Sequence, residues 1–440
     1  MIPPAVSPAR SIVIVGSGGR EHALARRLSE DPAPARVVVL PGNDGIARTF
    51  PCIRPERRDS IAIADACAHQ RPDLVVVGPE SFLADGLADR LSERGLAVLG
   101  PGAAAARLES SKWFAKDIMR EANVVTAEAR MFETTEFLAA GLDAFGPPWV
   151  LKADGLTGGK GVLVTRERDA ALDFAEQCLS GSRFSGAGRR IVLERFLEGE
   201  ELSIMAVCDG SRAVLLPAAR DFKRAYALDS GPNTGGMGAI APVAGWGAAG
   251  DAWVVEHIVE PVLAVLARRG MPYRGVLYCG LMLTQGGPAV VEFNVRFGDP
   301  ETQAILPRLG GSLFDLLHGA ATGDLGEARA IARPGSTVAV ALVDTHYPAA
   351  HTGDGLLAGT EQLDGDAHTW MLYGGVSQGA GGWRVLGGRA AYVCADGESL
   401  DAARQRAYDG VARLTGSGWR FRDDIGNLRD APITSSGLRG

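Results

Sequence analysis

The stretch Val290-Val291-Glu292-Phe293-Asn294-Val295-Arg296-Phe297-Gly298-Asp299-Pro300-Glu301 reads as a buried strand that carries chemistry. Side chains alternate along a strand, so Val291, Phe293, Val295 and Phe297 are expected on one face and Glu292, Asn294 and Arg296 on the other. A carboxylate and an amide oxygen two residues apart are hard donors suited to Mg²⁺ or Mn²⁺, and the guanidinium beyond them can clamp a carboxylate or phosphate through two N–H groups. For an arbitrary Glu-x-Asn-x-Arg, the better reading is the solvated face of an antiparallel strand. Here Gly275 to Thr284 and the turn Gln285-Gly286-Gly287-Pro288 precede the run as a hairpin partner, and Gly298-Asp299-Pro300 stops it beside the charged groups. Together these are the equipment for phosphoryl transfer.

Upstream, Trp149 to Val162 reads as strand, glycine-rich loop, strand. It lacks the GKS or GKT ending and the following helix of a P-loop, so a hairpin lid over phosphates is the better model, with Lys152 and Lys160 as its cations. Ile191 to Ser203 joins two apolar strands through acidic residues, which suit ribose hydroxyls and an adenine amine better than phosphate. After Arg220-Asp221-Phe222-Lys223-Arg224 comes Gly231 to Ala239, read as a loop glycine-rich enough to approach a ligand closely.

The first hundred residues alternate β-branched runs (Ile12 to Val15, Val37 to Leu40, Leu74 to Val77, Ala97 to Leu99) with helical spacing over Glu21 to Glu30, Ile61 to Gln70 and Leu83 to Arg94. This predicts a βαβ series with a parallel sheet, whose ligands collect at the carboxyl ends of the strands. Three strands end there in turns at Gly16 to His22, Pro41 to Gly45 and Gly78 to Glu80. Glu21 stands where a dinucleotide fingerprint needs its last glycine, and no ribose-binding acid follows the second strand, which excludes NAD. A phosphate at the following helix N-terminus stays open. From about Ala330, strands Thr337 to Val343 and Arg389 to Cys394 and a helix from Leu400 to Leu414 carry polar content that reads as structural.

The composition bounds the function. A chain of 440 residues, 46% hydrophobic and 22% charged, with mean hydropathy +0.05, is an ordinary globular protein of two to four domains. A net charge of −7 argues against general nucleic-acid binding. The six cysteines are scattered without metal-site spacing, which predicts reduced core residues and a cytoplasmic protein. Neither a secretory leader nor a run long enough to span a bilayer is read from the sequence.

Several motifs together resemble the phosphoribosylamine–glycine ligase family of the ATP-grasp superfamily. The resemblance rests on Val15 to Ala23, Pro41-Gly42-Asn43, Gly78-Pro79-Glu80, Leu108 to Lys112, Lys152 to Val162, Glu194 to Leu202, Asp221 to Arg224, Gly231 to Gly238, Glu292 to Gln303 and Asp424-Ile425-Gly426. It implies a mixed α/β and α+β architecture: an N-terminal parallel βαβ domain over 1–109, an ATP-grasp domain over 110–329 with a hairpin lid at about 127–200, and a small C-terminal α+β domain over 330–440. It also implies ligation of glycine to 5-phosphoribosylamine with ATP and Mg²⁺ or Mn²⁺, through glycyl phosphate, by a monomer without nucleic-acid or membrane partners.

Carried over residue by residue, the resemblance makes Glu292 and Asn294 metal ligands. Lys112, Lys152, Gly158 and Lys160 are implied phosphate and lid contacts, and Glu194, Leu197 and Glu201 an adenine and ribose hinge. Arg296, Lys152 and Asp221 are implied in catalysis. Gly18, Arg20, Asn43, Glu80, Asp221, Lys223, Asn233, Gly236 and Arg296 are implied substrate contacts. Two strings depart from the family pattern: Met371 to Val376 stands where Phe-His-Ala-Gly-Thr is usual, and Val385 to Arg389 where Thr-Ser-Gly-Gly-Arg is usual. They put in question how the C-terminal domain packs against the nucleotide site. Another ATP-grasp ligase, a carboxylase or a formate-using transformylase, would share the lid and the metal strand but not the Gly231 to Gly238 string. A nucleotide-binding regulator without activity would lack Glu292, Asn294 or Lys152, and all three are present.

Overall fold

The computed structural model describes residues 10–33, 35–184, 189–349, 353 and 355–427. Four parallel strands open the chain: β1 (Arg10–Gly16), β2 (Ala35–Pro41), β3 (Leu74–Val77) and β4 (Val98–Leu99), in the order β2-β1-β3-β4. Ile12 and Ile14 enter one hydrophobic core while Val13 and Val15 enter another. The period of two thus buries both faces, as a parallel sheet covered on both sides requires. Helices α1 (Gly19–Ser29), α2 (Ser60–Gln70), α3 (Glu80–Ala84), α4 (Leu87–Glu93), α5 (Ala103–Ser110) and α6 (Lys112–Glu121) follow. The helix expected over Leu83 to Arg94 is instead two pieces, because Gly86 adopts φ +77° and ends the first one.

The lid is an antiparallel sheet, ordered β5-β8-β6-β7, of β5 (Ala129–Phe132), β6 (Trp149–Ala153), β7 (Val162–Thr165) and β8 (Ile191–Arg195). Helices α7 (Thr135–Phe145) and α8 (Arg168–Leu179) pack on it around Leu138, Leu142, Leu151, Phe174 and Leu193. This core is separate from the two larger ones, so the lid holds its own shape whatever its angle to the body.

The body continues as β9 (Glu200–Asp209), β10 (Ala213–Leu215), β11 (Arg220–Asp221), β12 (Arg224–Tyr226), β13 (Ser230–Asn233), β14 (Gly238–Ala241), β15 (Arg274–Thr284) and β16 (Gly287–Asn294). The central sheet is β10-β9-β15-β16. The expected hairpin is β15–β16, but it carries a bulge: Glu292 faces Gly280 while Val290 faces Leu281, which leaves Val291 unpaired between them. Val290, Phe293 and Val295 therefore share one core, Phe297, past the strand end, packs into the other, and Val291 turns out of the core to line a cleft. The stretch Gly231 to Ala239 is not all loop. Its ends lie in β13, which pairs with β12, and in β14.

β11 and β14 join the C-terminal strands Ser336–Asp344, Arg389–Gly397 and Thr369–Tyr373 in one sheet, with the helix Leu400–Ala412 packed on it. Residues 220–241 are thereby sewn into the C-terminal layer. All six cysteines are free, and all but Cys52 are buried. No helix among the described residues is long and apolar enough to cross a membrane.

Candidate active site

A cleft of about 500 Å³ lies between the lid and the central sheet. β16 supplies its floor: Glu292 and Asn294 line it together, and Arg296 follows just past the strand end. Lys112, the first residue of α6, is placed by the Ser111 hydroxyl, which caps the helix by accepting from Phe114 N at 3.1 Å. Its Nζ lies 3.4 Å from Glu292 Oε2. Asp154, directly after β6, accepts from the Ser111 hydroxyl at 2.9 Å and Trp113 N at 3.2 Å, which ties the lid to the start of α6.

Lys152 and Glu194 sit diagonally across the β6–β8 pair, where Val150 faces Glu194 and Lys152 faces Val192. Lys152 Nζ lies 3.0 Å from Glu194 Oε2 and donates to Val291 O at 2.9 Å. Lys116, one helical turn beyond Lys112, approaches the same Glu194 oxygen at 3.1 Å. Glu194 Oε1 is buried and has no hydrogen-bond partner among the described residues. Val150, Val164, Phe196, Leu197 and Met282 make apolar walls around this end, and Glu201 completes it.

Lys223 Nζ is 2.6 Å from Glu201 Oε2. Burial alone would push the Glu292 carboxyl up, but Lys112, Lys223 and Lys152 hold it well below the usual carboxylate range, so it is ionised. Burial takes the Lys116 ammonium down to about 8 despite Glu194. The Asp221 carboxyl is pushed up by burial and by Glu301. Its Oδ1 has no hydrogen-bond partner among the described residues. Gly236, at φ +110°, backs this carboxylate; a Cβ there would fall 2.6 Å from Asp221 Oδ1 and 2.3 Å from Pro300 Cδ.

Arg296 Nε donates to Glu80 at 3.2 Å, and its Nη2 to Glu109 at 3.1 Å. Its Nη1 donates to Phe297 O at 3.2 Å. Three of the five N–H groups of a guanidinium are thus committed, and two remain for a ligand. Glu292 Oε1 and the Asn294 amide make no side-chain hydrogen bond among the described residues, and those residues hold no group of three or more His, Cys, Asp or Glu suited to a metal. Mg²⁺ is commonly held by one or two carboxylates together with phosphates and waters. The donor pair fits a divalent cation carried in on a nucleotide, and not an all-protein cage.

The cleft gathers Arg20, Glu80, Lys112, Lys152, Gly158, Glu194, Leu197, Glu201, Asp221, Lys223, Asn233, Glu292, Asn294 and Arg296. Lys160 is exposed and lies outside its lining, and Gly236 stands behind it. Gly18 and Asn43 line a second cavity of about 640 Å³ at the strand ends of the N-terminal sheet. Asp299 and Arg389 line both cavities and pair at 3.3 Å, so they form the wall between them.

Two expectations change here. The Gly18 amide at the start of α1 is taken by the protein's own anion: Glu21 Oε2 accepts from Gly18 N at 2.6 Å, and Arg20 Nε donates to Glu21 Oε1 at 2.7 Å. Asn43 is a clamp and presents little to a ligand. Its Nδ2 reaches Ser17 O (2.8 Å), Tyr373 O (3.2 Å) and Gly374 O (2.9 Å), and its Oδ1 accepts from Ile46 N at 2.9 Å.

The atypical string therefore seats against the N-terminal sheet, helped by Tyr373 N donating to His22 Nδ1 at 2.9 Å. Nor is the C-terminal polar content all structural, since Arg389 reaches the cleft wall. Sequence reasoning missed Lys116, Glu109, Asp299, Glu301 and Arg389 as site residues. The spacing of Lys116 and Glu109 from Lys112, four and three residues, was the available signal for two of them.

Three domain models of one family match in order along the chain: phosphoribosylglycinamide synthetase N domain over residues 10–109, ATP-grasp (A) domain over 110–302 and C domain over 337–428. Phosphoribosylamine–glycine ligase of Caulobacter vibrioides is 42% identical over 419 residues, covering 94% of this chain and 97% of that one. The Mycobacterium tuberculosis protein of the same name is 42% identical over 424 residues, with 94% and 97% covered. Among solved structures, phosphoribosylamine–glycine ligase of Thermotoga maritima superposes with a TM-score of 0.82 at 32% identity, over 94% of this chain and all of that one. Biotin carboxylase of Campylobacter jejuni, at 14% identity and a TM-score of 0.69 over 94% of this chain and 93% of that one, shares the fold alone. The chain belongs to the phosphoribosylglycinamide synthetase family of ATP-grasp enzymes.

Proposed function

We propose that the chain joins glycine to 5-phosphoribosylamine at the expense of ATP, giving glycinamide ribonucleotide, ADP and phosphate. The observation that carries this reading is the convergence of Lys112, Lys152 and Lys223 on Glu292 in a cleft where Glu194 Oε1 and Asp221 Oδ1 still lack partners. A free carboxylate is a poor acyl donor, so the glycine carboxylate first attacks the γ-phosphorus and expels ADP. The resulting glycyl phosphate is then attacked at its carbonyl by the amine, and phosphate leaves with an oxygen that came from glycine. No protein nucleophile is needed; positioning and charge neutralisation supply the rate.

In this reading Glu194 Oε1 accepts from the adenine amine between Val150, Phe196, Leu197 and Met282, with Glu201 at the ribose. Lys112 and Lys152 meet the phosphates under the lid. The two uncommitted N–H groups of Arg296 hold the glycine carboxylate. Glu292 and Asn294 would hold Mg²⁺ or Mn²⁺, which offsets phosphate charge. Phosphoribosylamine spans the Asp299–Arg389 wall, its amine toward Asp221, whose raised pKa suits it to accept the proton released in acyl transfer. The remaining assignments are a monomer in the cytoplasm.

The test is isotopic. With both glycine carboxylate oxygens ¹⁸O-labelled, the phosphate released should carry one ¹⁸O per turnover. Label confined to the amide product, with none in phosphate, would overturn the acyl-phosphate route.

A further inference from the structure

A cavity of about 640 Å³, apart from the cleft, lies where α1, the segment after β16 and the C-terminal sheet meet. Its lining holds five arginines (Arg26, Arg27, Arg308, Arg333, Arg406) against three carboxylates (Glu30, Asp396, Glu398), a net of +2 on a chain whose total is −7. Arg26 is paired with Glu30, Arg27 with Asp31 and Arg308 with Asp396. Arg333 and Arg406 have no carboxylate partner among the described residues; Arg406 donates only to the backbone oxygen of Asp396, at 2.8 Å. Uncompensated guanidiniums in a concave site are what planar recognition of a phosphate uses.

A second, independent observation concerns Gln303. It lines the same cavity and is fully buried, yet its Oε1 has no hydrogen-bond partner, while its Nε2 donates to Asp299 Oδ1 at 2.7 Å. An orphaned amide oxygen needs a donor, and a sugar hydroxyl or base amine held beyond the phosphate supplies one. Trp370 adds an aromatic surface, with the Arg26 guanidinium 4.3 Å from its ring centroid.

We infer that this cavity is a second ligand site, for a phosphate monoester of about nucleoside monophosphate size, with its phosphate on Arg333 and Arg406 and a hydroxyl or amine toward Gln303. The site is separate from the ligase chemistry and stands whether or not that reading holds. Through Gln303 it is one side chain away from Asp299 in the cleft wall.

The probe is adenosine 5′-monophosphate, titrated calorimetrically into the full chain with the cleft saturated by Mg-ADP. One equivalent should bind, and Arg333→Ala together with Arg406→Ala should weaken it at least tenfold while leaving Mg-ADP affinity unchanged. Gln303→Leu, which removes the acceptor, should weaken the monophosphate but not inorganic phosphate. No binding at millimolar probe, or binding indifferent to the two arginine substitutions, overturns the site. Inorganic phosphate binding as tightly as the nucleotide overturns the esterified ligand.

Discussion

The carboxyl end of the N-terminal sheet and the cleft under the lid hold the same ingredients: glycine-rich turns, a carboxylate and nearby cations. They differ in whether the bonding is finished. At the N-terminal sheet the Glu21 carboxylate is consumed by Gly18 N and Arg20, and the glycines exist to admit it. A Cβ on Gly78 would stand 1.9 Å from Glu21 Oε1. In the cleft Glu194 Oε1 and Asp221 Oδ1 are buried without partners, and Gly158 in the lid turn, at φ +58°, faces open space. Buried polar atoms are ordinarily paired, so unpaired ones mark where a ligand completes the structure. Glycine content alone does not separate the two cases.

The comparison implies opposite costs for substitutions in the two regions. Glu292→Gln should lower kcat/KM by about 10²–10³-fold, the scale of removing one well-placed electrostatic group, with the thermal midpoint nearly unmoved. A fall in midpoint with normal turnover per folded molecule would place Glu292 among the structural acids. Gly78→Ala should do the reverse. Overpacking against Glu21 and Val15 O is expected to cost about 1–3 kcal/mol, read by denaturation, while the folded fraction keeps its turnover.

Lys116 sharpens the comparison, being a buried cation that serves Glu194 from behind. Its ammonium titrates near 8 in the folded chain against an ordinary 10.5. Between those values the unfolded chain holds the proton and the folded chain does not, so this group adds stability as pH rises through that window. The slope is at most about 1.4 kcal/mol per pH unit, and Lys116→Met should remove it from a stability-against-pH series. An identical slope in both proteins would count against a buried, titrating ammonium. The smallest effect belongs to Lys160→Ala. Its exposed side chain lies outside the cleft lining, so its loss should change kcat/KM by less than about fivefold, the range of an exposed charge contact; a hundredfold loss would mean that the lid closes much further than the geometry here.

What could be read from the sequence follows the range of the interactions. The parallel sheet, the β15–β16 hairpin, the lid strands and the polar line Glu292, Asn294, Arg296 were legible because two-residue periodicity and turn chemistry are local. The bulge at Val291 escaped, since it depends on cross-strand register with Gly280 and Leu281. So did the reach of Arg389 to Asp299, across 90 residues, and the clamping of Asn43 by Tyr373 and Gly374, across more than 300. Glu21 breaks a dinucleotide fingerprint in the sequence itself, but that its carboxylate fills the turn is a fact of three dimensions.

This cleft is expected to couple ATP cleavage to the joining of glycine and an amine. The most direct measurement is ADP release from the purified protein with Mg-ATP, with phosphoribosylamine generated in situ and glycine added or withheld. ADP should accumulate only when both are present. ADP formed equally without glycine, or ATP bound with no ADP formed when everything is supplied, would contradict it.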